Sequence, residues 1–339
     1  MKRLILGIET SCDDTSVSMV EAQDTEIKVQ VLHSLNSEKT LARWGGVVPE
    51  IAAREHVRVL AGLIELTVQD AGVSYKDISE IAVTAQPGLI GALLTGLNAA
   101  KTLAWLHHKP ITPVPHLWAH LEAIHLTEKV PYPYLGLLIS GGHTLIVLVK
   151  NHETFEVLGQ TLDDAAGEAF DKGGKLLGLG YPAGKIIDEK AQTGNPKAFE
   201  FPISYMRDRP GKMSFSGLKT ALRVFHEKNP GADIHDVCAS YQHAIIMTLK
   251  DKMKEVMKLH RLQELPVVVG GGVACNSYLR QEFTRSFRHS YFVAPKYCTD
   301  NAAMIAFWAA LNPQALVAYP DCLNLDAKSK MIAKPPMRS

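Results

Sequence analysis

Two stretches of this chain, LILGIETSCDDTSVSMV (residues 4–20) and LGLLISGGHTLIVLV (residues 135–149), follow one pattern. Each has an apolar run, a short turn of small polar residues and a second run rich in apolar residues. This pattern predicts two strands joined by a tight turn. A turn of Gly, Ser and Thr exposes backbone N–H groups that can bind an oxyanion. Two such turns, far apart in the sequence, indicate two related halves that grip one phosphate group.

The composition is that of a globular protein with room for two domains: 339 residues, 46% hydrophobic and 21% charged. The net charge of +1 provides no general attraction for nucleic acid, so an RNA-binding surface would have to be local. We expect the basic C-terminal end (Lys328, Lys330, Lys334 and Arg338) to be a solvated tail rather than an RNA-binding arm. Five scattered cysteines and the lack of a long apolar run predict a cytoplasmic protein, with the mitochondrion as the alternative.

The order of the predicted elements is β-β-β-α-β-α, and it occurs roughly twice. This order predicts an α/β protein with two duplicated halves that face a cleft, where strand ends meet helix starts. We expect an N-terminal lobe over residues 1–133 and a C-terminal lobe over 134–312, with an active-site insertion around 180–217. Residues 313–339 are expected to form a tail. A helix over 163–179 is expected to open with Asp163 and Asp164, and Thr299 is expected to cap a helix over 300–311.

Three elements are candidates for binding a nucleotide. Two are the turns, and the third is a strand–GGG–helix element over residues 267–280, whose glycines allow a flat ligand close to the backbone. Asn276 lies at the start of the last helix, where its amide can cap the helix or bind sugar hydroxyls. The candidate residues of the two turns are Thr10, Ser11 and Asp13 in the first, and Ser140, Gly141 and Gly142 in the second.

A second group of candidates is the pair His116 and His120, which share one helix face because they are four residues apart. Two imidazoles are too few for a tight metal site, and Asp300 could supply a carboxylate. The zinc-protease motif requires a glutamate directly after the first histidine, whereas this chain has Leu117 there. A metalloprotease is therefore disfavoured.

A third group lies on the helix predicted over residues 163–179. Glu168, Asp171 and Lys175 share one face of that helix. They could form solvent-exposed side-chain pairs, or they could face a bound ligand. Glycine lowers helix stability unless a ligand or packing requires it, so Gly173 and Gly174 favour the functional interpretation. Asp188 and Gly184 follow shortly afterwards and extend this candidate surface.

Seven ordered motifs resemble the universal tRNA threonylcarbamoyladenosine synthase family, the glycoprotease-like family whose bacterial branch is called TsaD. They are GIETSCDDTS (7–16), RWGGVVPEIAAREH (43–56), LLISGGHT (137–144), DDAAGEAFDK (163–172), SFSGLKTA (214–221), GGGVACNSYLR (270–280) and CTDNAAMIA (298–306). The resemblance implies a two-lobed actin-like ATPase (ASKHA) fold. It also implies an acyltransferase that moves threonylcarbamoyl from threonylcarbamoyl-AMP to N6 of the adenosine at tRNA position 37.

The resemblance further implies roles for individual residues. Metal ligands map onto His116, His120 and Asp300, with Fe²⁺ expected first and Zn²⁺ or Mg²⁺ as alternatives. Asp13 falls on an acid near the reacting groups and is the candidate base. Adenylate-binding positions map onto Leu138, Ile139, Ser140, Gly141, Gly142, Asp171, Gly184, Asp188 and Asn276. The chain departs from the family pattern at Gln86, Trp118 and Lys185, and none of these positions is a mapped ligand.

The implied partners are tRNA, a paralogous TsaB-like subunit and a small TsaE-like ATPase, or a second copy of the chain in mitochondria. The residues alone are also compatible with two other functions. One is an actin-fold phosphotransferase, and the other is a non-catalytic, nucleotide-regulated interaction module. A His-His-Asp set favours Fe or Zn over the carboxylate-held Mg²⁺ of a kinase.

Overall fold

A computed structural model describes residues 2–24, 26–37, 40–41, 43–204 and 209–331. The chain forms two compact units. Unit 1 contains the residues up to Leu126 together with those from Asp300 onward, and unit 2 contains Thr127–Thr299.

The elements of unit 1 are β1 (Lys2–Glu9), β2 (Thr15–Gln23), β3 (Glu26–Leu35), α1 (Pro49–Asp70), β4 (Glu80–Gln86), α2 (Ile90–His107), β5 (Ile111–Pro115), α3 (His116–Glu122) and, late in the chain, α10 (Ala302–Leu311). Those of unit 2 are β6 (Tyr134–Ile139), β7 (Thr144–Asn151), β8 (Thr154–Thr161), α4 (Ala166–Leu176), α5 (Gly184–Ala191), β9 (Lys212–Met213), α6 (Ser216–Lys228), α7 (Ile234–His260), β10 (Val267–Gly270), α8 (Ser277–Ser286), β11 (Ser290–Phe292) and α9 (Pro295–Cys298). A short 3₁₀ helix extends α3 over Ala123–Leu126, and another, Gly272–Cys275, precedes α8.

The two sheets have the same strand order. In unit 1 the order is β3-β2-β1-β4-β5, with β1–β3 antiparallel and β4 and β5 parallel to β1. In unit 2 the stretch β8-β7-β6-β10-β11 repeats that order and those directions, and β9 adds a strand beside β8. The duplicated α/β halves expected from the sequence are therefore confirmed.

The core of unit 1 lies between its sheet and the helices α1 and α2. Leu6 and Ile8 of β1 pack there in one buried cluster with Leu60 of α1 and Leu93 of α2. Gly7 points to the opposite face, since successive strand residues alternate, and an added Cβ at Gly7 would collide with α10. The sheet is thus covered on both faces, which fixes the carboxyl ends of its parallel strands.

The helix α10 belongs to unit 1 rather than to the lobe over residues 134–312 in which it was expected. Nine of its ten residues are buried, and it packs against β1 and β2. The Ser16 hydroxyl of β2 accepts a hydrogen bond from the backbone N–H of Ala302 at the start of α10. The expected boundary at residue 133 also lies seven residues after the observed end of the first segment at Leu126.

Two helix starts differ from the sequence-based expectation. Helix α4 begins at Ala166, and Asp163 instead accepts hydrogen bonds from Ser214, Phe215 and Ser216 at the start of α6. Helix α10 is capped by Asn301, whose side chain accepts from the N–H of Met304, and not by Thr299. In both cases several polar residues precede the helix, and the tertiary partners decide which one serves as the cap.

Among the described residues, no helix is long and apolar enough to cross a membrane. Of the basic residues expected in the tail, Lys328 and Lys330 are described and are exposed, whereas Lys334 and Arg338 lie outside the described residues.

Candidate functional site

The side chains of His116, His120 and Asp300 meet in unit 1. The Nε2 atoms of the two histidines are 3.2 Å apart, and the Oδ1 atom of Asp300 lies 3.0 Å from Nε2 of His120 and 3.5 Å from Nε2 of His116. The two imidazole planes are nearly perpendicular, at 86°. Both histidines are buried, and the Asp300 side chain is 19% exposed.

The fold explains why these three residues meet. Helix α3 starts directly after β5, so His116 stands at the carboxyl end of a parallel strand and His120 follows one turn later. Asp300 directly precedes Asn301, the cap of α10, and that helix is buried against β1 and β2. Residues 180 positions apart in the sequence thereby face one point.

The spacing of the three atoms fits a metal ion. With metal–ligand bonds of about 2.1 Å, neighbouring ligand atoms are about 3.0 Å apart in an octahedral site and about 3.4 Å apart in a tetrahedral one. The observed 3.0–3.5 Å spans this range. Two imidazoles and one carboxylate are also a common set of ligands for non-haem iron and for zinc. The residues present therefore fit a divalent metal.

Glu9, the last residue of β1, holds the other side of the His116 ring and was not among the candidates predicted from the sequence. Its Oε2 atom lies 3.0 Å from Nδ1 of His116, and its side chain is completely buried. Ligating histidines usually donate their second ring N–H to a carboxylate in this way. A sequence signal was present, because Glu9 is a polar residue at the end of a strand that runs parallel to β4 and β5.

The pKa values of this cluster follow from its burial and its charges. Burial by itself would lower the pKa of His116, but the carboxylates of Glu9 and Asp300 outweigh it and raise the pKa to about 9. Burial likewise opposes ionisation of Glu9, but the charge of His116 and its hydrogen bond hold the pKa of Glu9 below its usual range. The pKa of His120 is lowered by burial and then by the charge of His116. The opposite pKa shifts of Glu9 and His116 thus follow from their mutual contact inside the buried cluster.

The turn between β1 and β2, residues 10–14, is hereafter the first tip. Its Asp13 side chain is partly buried, and burial raises the pKa of this carboxyl, with a further contribution from the charge of Asp300 and an opposing hydrogen bond from Cys12. His56 of α1 is fully buried and places Nε2 3.0 Å from the Cys12 carbonyl and Nδ1 2.7 Å from Oγ1 of Thr15. The tip that carries Asp13 is therefore held by a side chain from outside the hairpin, that of His56.

The turn between β6 and β7, residues 140–143, is hereafter the second tip. Ser140 closes it with two hydrogen bonds, since its N–H donates to the His143 carbonyl and its hydroxyl accepts from the His143 N–H. Gly141 and Gly142 are exposed, and an added Cβ on either would meet no described atom within 4 Å. The backbone at these two glycines can therefore be approached closely by a ligand.

Other elements of unit 2 approach the second tip at the carboxyl ends of β6 and β10. Gly271, with a φ of +87°, follows β10 and packs so closely on Ile139 that a Cβ would overlap the Ile139 carbonyl. A Cβ on Gly167, in the first turn of α4, would overlap the Ser140 carbonyl. The strand–GGG–helix element and the second tip, both predicted to bind a nucleotide, are thus neighbours, and Leu138 and Ile139 are buried in the strand between them.

The remaining predicted adenylate-binding positions are linked by hydrogen bonds. Asp171 of α4 accepts from the N–H of Ala183, directly before Gly184, at 2.8 Å. Asp188 of α5 accepts from both the N–H and the hydroxyl of Ser277, at 2.9 and 2.8 Å. Asn276 caps α8 through the N–H of Leu279 and donates to Gln242. These contacts join α4, α5 and α8, so each of the three polar side chains already holds a backbone segment.

Packing of α4, rather than ligand binding, explains why residues 173 and 174 are glycines. A Cβ on Gly173 would overlap the ring of Tyr241, and one on Gly174 would collide with Cβ of Ala183. Glu168 pairs with Lys172 at 2.7 Å on the helix surface. The inference of function from these two glycines was therefore wrong, because helix packing accounts for both.

A cavity of about 370 Å³ lies elsewhere in unit 2, and none of the predicted site residues lines it. Its walls come from the end of α7, from residues 263–265 and from residues 286–289. The predicted residues therefore do not coincide with this cavity.

Sequence comparison identifies the family. The sequence model of the TsaD family, described as tRNA N6-adenosine threonylcarbamoyltransferase, matches residues 29–307. The chain belongs to this family. A Sinorhizobium medicae protein of the same description is 45% identical over 96% of this chain and 94% of its own length. A Streptococcus pyogenes protein with that description is 42% identical over 91% of this chain and 90% of its own. The resemblance seen in the motifs is confirmed, and the enzyme class is that of the family, an acyltransferase.

Comparison with solved structures confirms the actin-like ATPase fold of this TsaD-family chain. Full-length HypF, in a phosphate- and nucleotide-bound form, has a TM-score of 0.58 at 14% identity, over 92% of this chain and 46% of HypF. Component A of (R)-2-hydroxyglutaryl-CoA dehydratase from Acidaminococcus fermentans has a TM-score of 0.55 at 15% identity, over 92% of this chain and 99% of that one. At these identities the likeness concerns the fold alone.

Proposed function

We propose that this member of the TsaD family transfers threonylcarbamoyl from threonylcarbamoyl-AMP to N6 of the adenosine at position 37 of tRNA. Membership of the family supports the reaction. The observation that carries the proposal to this chain's own residues is the convergence of His116, His120 and Asp300. An acyl transfer of this kind forms a bond from N6 to the carbamoyl carbon and breaks the bond from that carbon to the phosphate oxygen, and AMP leaves.

We propose that His116, His120 and Asp300 hold a divalent metal, with Fe²⁺ first and Zn²⁺ or Mg²⁺ as alternatives. The two-imidazole, one-carboxylate set supports Fe²⁺ over Mg²⁺, which prefers oxygen ligands. Bound there, the ion would supply Lewis acidity for a phosphate or carbonyl oxygen. The three side chains keep the ligand atoms within 3.5 Å of one another, and Glu9 fixes the His116 ring.

We propose that unit 2 binds the adenylate. The exposed backbone of Gly141 and Gly142 supports a role in binding phosphate or a developing oxyanion, because backbone N–H groups in such turns bind anions. Asp171, Gly184, Asp188 and Asn276 are proposed to form the adenosine surface. The hydrogen bonds that Asp171, Asp188 and Asn276 make to the backbone of α5 and α8 or the residues just before them support this, since a preformed surface binds a ligand without further ordering.

We propose Asp13 as the base that takes the proton from the attacking N6 amine. Its raised pKa supports this role, because a carboxylate becomes a better base as its pKa approaches the working pH. The hydrogen bonds of His56 to the first tip keep Asp13 in a defined position. Orientation of this kind supplies much of the acceleration when the nucleophile is as weak as an aromatic amine.

The proposed partners beyond tRNA are a paralogous TsaB-like subunit and a TsaE-like ATPase, or a second copy of this chain. The proposed location is the cytoplasm, in line with the bacterial sources of the relatives. Co-purification from the native cell and fractionation of that cell test these two proposals.

The reaction is tested by incubating the purified chain with unmodified tRNA and threonylcarbamoyl-AMP, and by mass spectrometry of the resulting nucleosides. We expect threonylcarbamoyladenosine and one AMP for each modified nucleoside, with no ATP consumed. ATP-dependent phosphorylation of an added hydroxyl compound, without modified tRNA, would instead identify the phosphotransferase alternative. Nucleotide binding with neither product would identify the interaction module. A parallel reaction supplemented with extract of the native cell provides missing partners.

A further inference from the structure

The carboxylate of Glu9 connects the three-ligand cluster to the first tip, although it contacts neither the proposed metal position nor the proposed base. It ends β1, and its side chain is fully buried. Burying a carboxylate is costly unless hydrogen bonds satisfy it. The contacts of Glu9 therefore show which parts of the structure depend on it.

Three donors surround the Glu9 carboxylate. Its Oε1 accepts from the backbone N–H of Ser11, and its Oε2 accepts from the Thr84 hydroxyl and faces Nδ1 of His116 at 3.0 Å. The donors come from the first tip, from β4 and from α3. They meet because β1, β4 and β5 are parallel neighbours, so their carboxyl ends share one edge of the sheet.

The contact with Glu9 determines which nitrogen of His116 is available to a metal. A carboxylate only accepts hydrogen bonds, so it holds a proton on Nδ1 and leaves Nε2 facing His120 and Asp300. Nδ1 of His120 has no hydrogen-bond partner among the described residues. Of the two imidazoles, His116 is therefore the one whose orientation a carboxylate sets.

We propose that Glu9 is a positioning residue that orients His116 for metal binding and couples the occupancy of the metal site to the conformation of the first tip. This inference rests on the proposed metal site. A small shift of His116 on metal binding moves Oε2 of Glu9, and the same rigid carboxylate carries Oε1 and the Ser11 N–H. Asp13 lies two residues beyond Ser11, whose hydroxyl also lies 3.2 Å from Nδ1 of His116. The Glu9 carboxylate and this hydroxyl therefore both link the metal position to the tip that carries the proposed base.

The variant Glu9→Gln tests the proposal, because glutamine offers one oxygen and one NH₂ group to the same three donors. The NH₂ group of the glutamine then faces either the Ser11 N–H or Nδ1–H of His116. Two hydrogen-bond donors point at each other there, and that contact is lost. We expect the affinity for Zn²⁺, measured by competition with a chromophoric chelator, to fall about 10- to 100-fold, as is typical when the outer partner of a ligating histidine is lost. Unchanged Zn²⁺ affinity would overturn the proposal.

Glu80→Gln is the matched control. Glu80 is a buried carboxylate of the neighbouring strand β4, bonded to Thr112 at 2.9 Å and to Arg3 at 3.1 Å. Glu80 is a carboxylate of the same sheet as Glu9, and Thr112 and Arg3 are not members of the metal cluster. We expect Glu80→Gln to bind Zn²⁺ as the parent does; an equal loss in both variants would show that Glu9 acts through general stability and would overturn the proposal.

Hydrogen exchange supplies a second readout, and its first comparison uses the parent protein alone. In the parent protein we expect Zn²⁺ to slow amide exchange at Ser11–Asp13, and we expect Glu9→Gln to lose that effect even at saturating Zn²⁺. Exchange at the first tip that is the same with and without Zn²⁺ would overturn the coupling.

His116→Ala separates this inference from the metal proposal. If His116→Ala binds Zn²⁺ as the parent does, the metal site itself is refuted, and the role of Glu9 falls with it. If His116→Ala loses Zn²⁺ while Glu9→Gln keeps full affinity, the metal proposal stands and the role of Glu9 is refuted.

Discussion

The two hairpin tips occupy equivalent positions in sheets of the same strand order, yet their surroundings differ. At the first tip, buried side chains bind the backbone: Glu9, at the end of β1, holds the Ser11 N–H, and His56 of α1 holds the Cys12 carbonyl. At the second tip, Ser140 closes the turn by itself, and two exposed glycines follow. One tip is fixed from outside, and the other is left open.

This difference shows how a duplicated scaffold can acquire two kinds of chemistry. Unit 1 has titratable groups at the carboxyl ends of its parallel strands, where Glu9 and His116 meet. Unit 2 has glycines at the equivalent strand ends, where Gly271 packs on Ile139. A cluster of charged ligands requires rigid side chains, whereas binding of an anion by main-chain groups requires backbone N–H groups that the anion can approach. The repeated topology therefore sets the location of a site, and the residues at the strand ends set its chemistry.

The largest effect is expected in unit 1, from removal of a ligand of the three-residue cluster. His120→Ala removes one of three ligands, so we expect metal affinity to fall more than about 100-fold, beyond the 10- to 100-fold typical for an outer partner. Elemental analysis of the protein, after dialysis against a low concentration of the metal, measures how much metal stays bound. His125→Ala is the control, because His125 lies five residues beyond His120 and outside the three-ligand cluster. Equal metal content in the two variants would contradict the assignment.

The second largest effect is expected in unit 2, from removal of a backbone N–H of the second tip. Gly142→Pro deletes a backbone N–H from the second tip, and we expect a non-hydrolysable adenylate analogue to bind about 10- to 100-fold more weakly, the effect of one hydrogen bond to a charged group. Calorimetric titration measures the affinity. Gly142→Ala keeps the N–H, and its added Cβ meets no described atom within 4 Å, so this variant should bind as the parent does. Parent-like binding by the proline variant would exclude a role for that N–H.

The third expected effect sharpens the contrast between glycines that pack and glycines that stay open. Gly271 has a φ of +87°, and a Cβ there would overlap the Ile139 carbonyl, so Gly271→Ala should destabilise the protein by about 1–3 kcal/mol. Gly141→Ala, in open space, should change stability little. Urea unfolding compares the two variants. A destabilisation of Gly141→Ala as large as that of Gly271→Ala would show that the second tip is also tightly packed.

The smallest expected effect concerns the buried histidine that fixes the first tip. Burial lowers the pKa of His56, against opposing contributions from the Cys12 carbonyl and nearby carboxylates. The unfolded chain therefore binds this proton more readily, so the stability contributed by neutral His56 is present above pH 6.5 and is lost as the pH falls from there toward the folded pKa. The stability of the parent should fall more steeply over that interval than that of His56→Gln. Parallel pH profiles would contradict this role of His56.

The sequence predicted the hairpins, the duplicated β-β-β-α-β-α order of elements and the His116–His120 pair, because periodicity and i, i+4 spacing are local signals. It did not predict Glu9, which ends an apolar strand and whose partners Thr84 and His116 are 75 and 107 residues away. For the same reason, the sequence did not predict that Asn301 caps α10 or that packing requires glycine at positions 173 and 174. Their roles depend on neighbours that are distant in sequence, and local patterns do not identify such neighbours. Asp300 was a candidate third ligand from the residues alone, and the family resemblance implied its role and the adenylate-binding positions.

The most direct test of the account is anomalous diffraction from crystals grown with Fe²⁺ or Zn²⁺ and collected at that metal's absorption edge. The account predicts one strong peak in unit 1, about 2.0–2.2 Å from Nε2 of His116, from Nε2 of His120 and from a carboxylate oxygen of Asp300, with Nδ1 of His116 still on Glu9. A peak elsewhere, or a cluster that stays closed at millimolar metal with the three side chains bonded to one another, would contradict it.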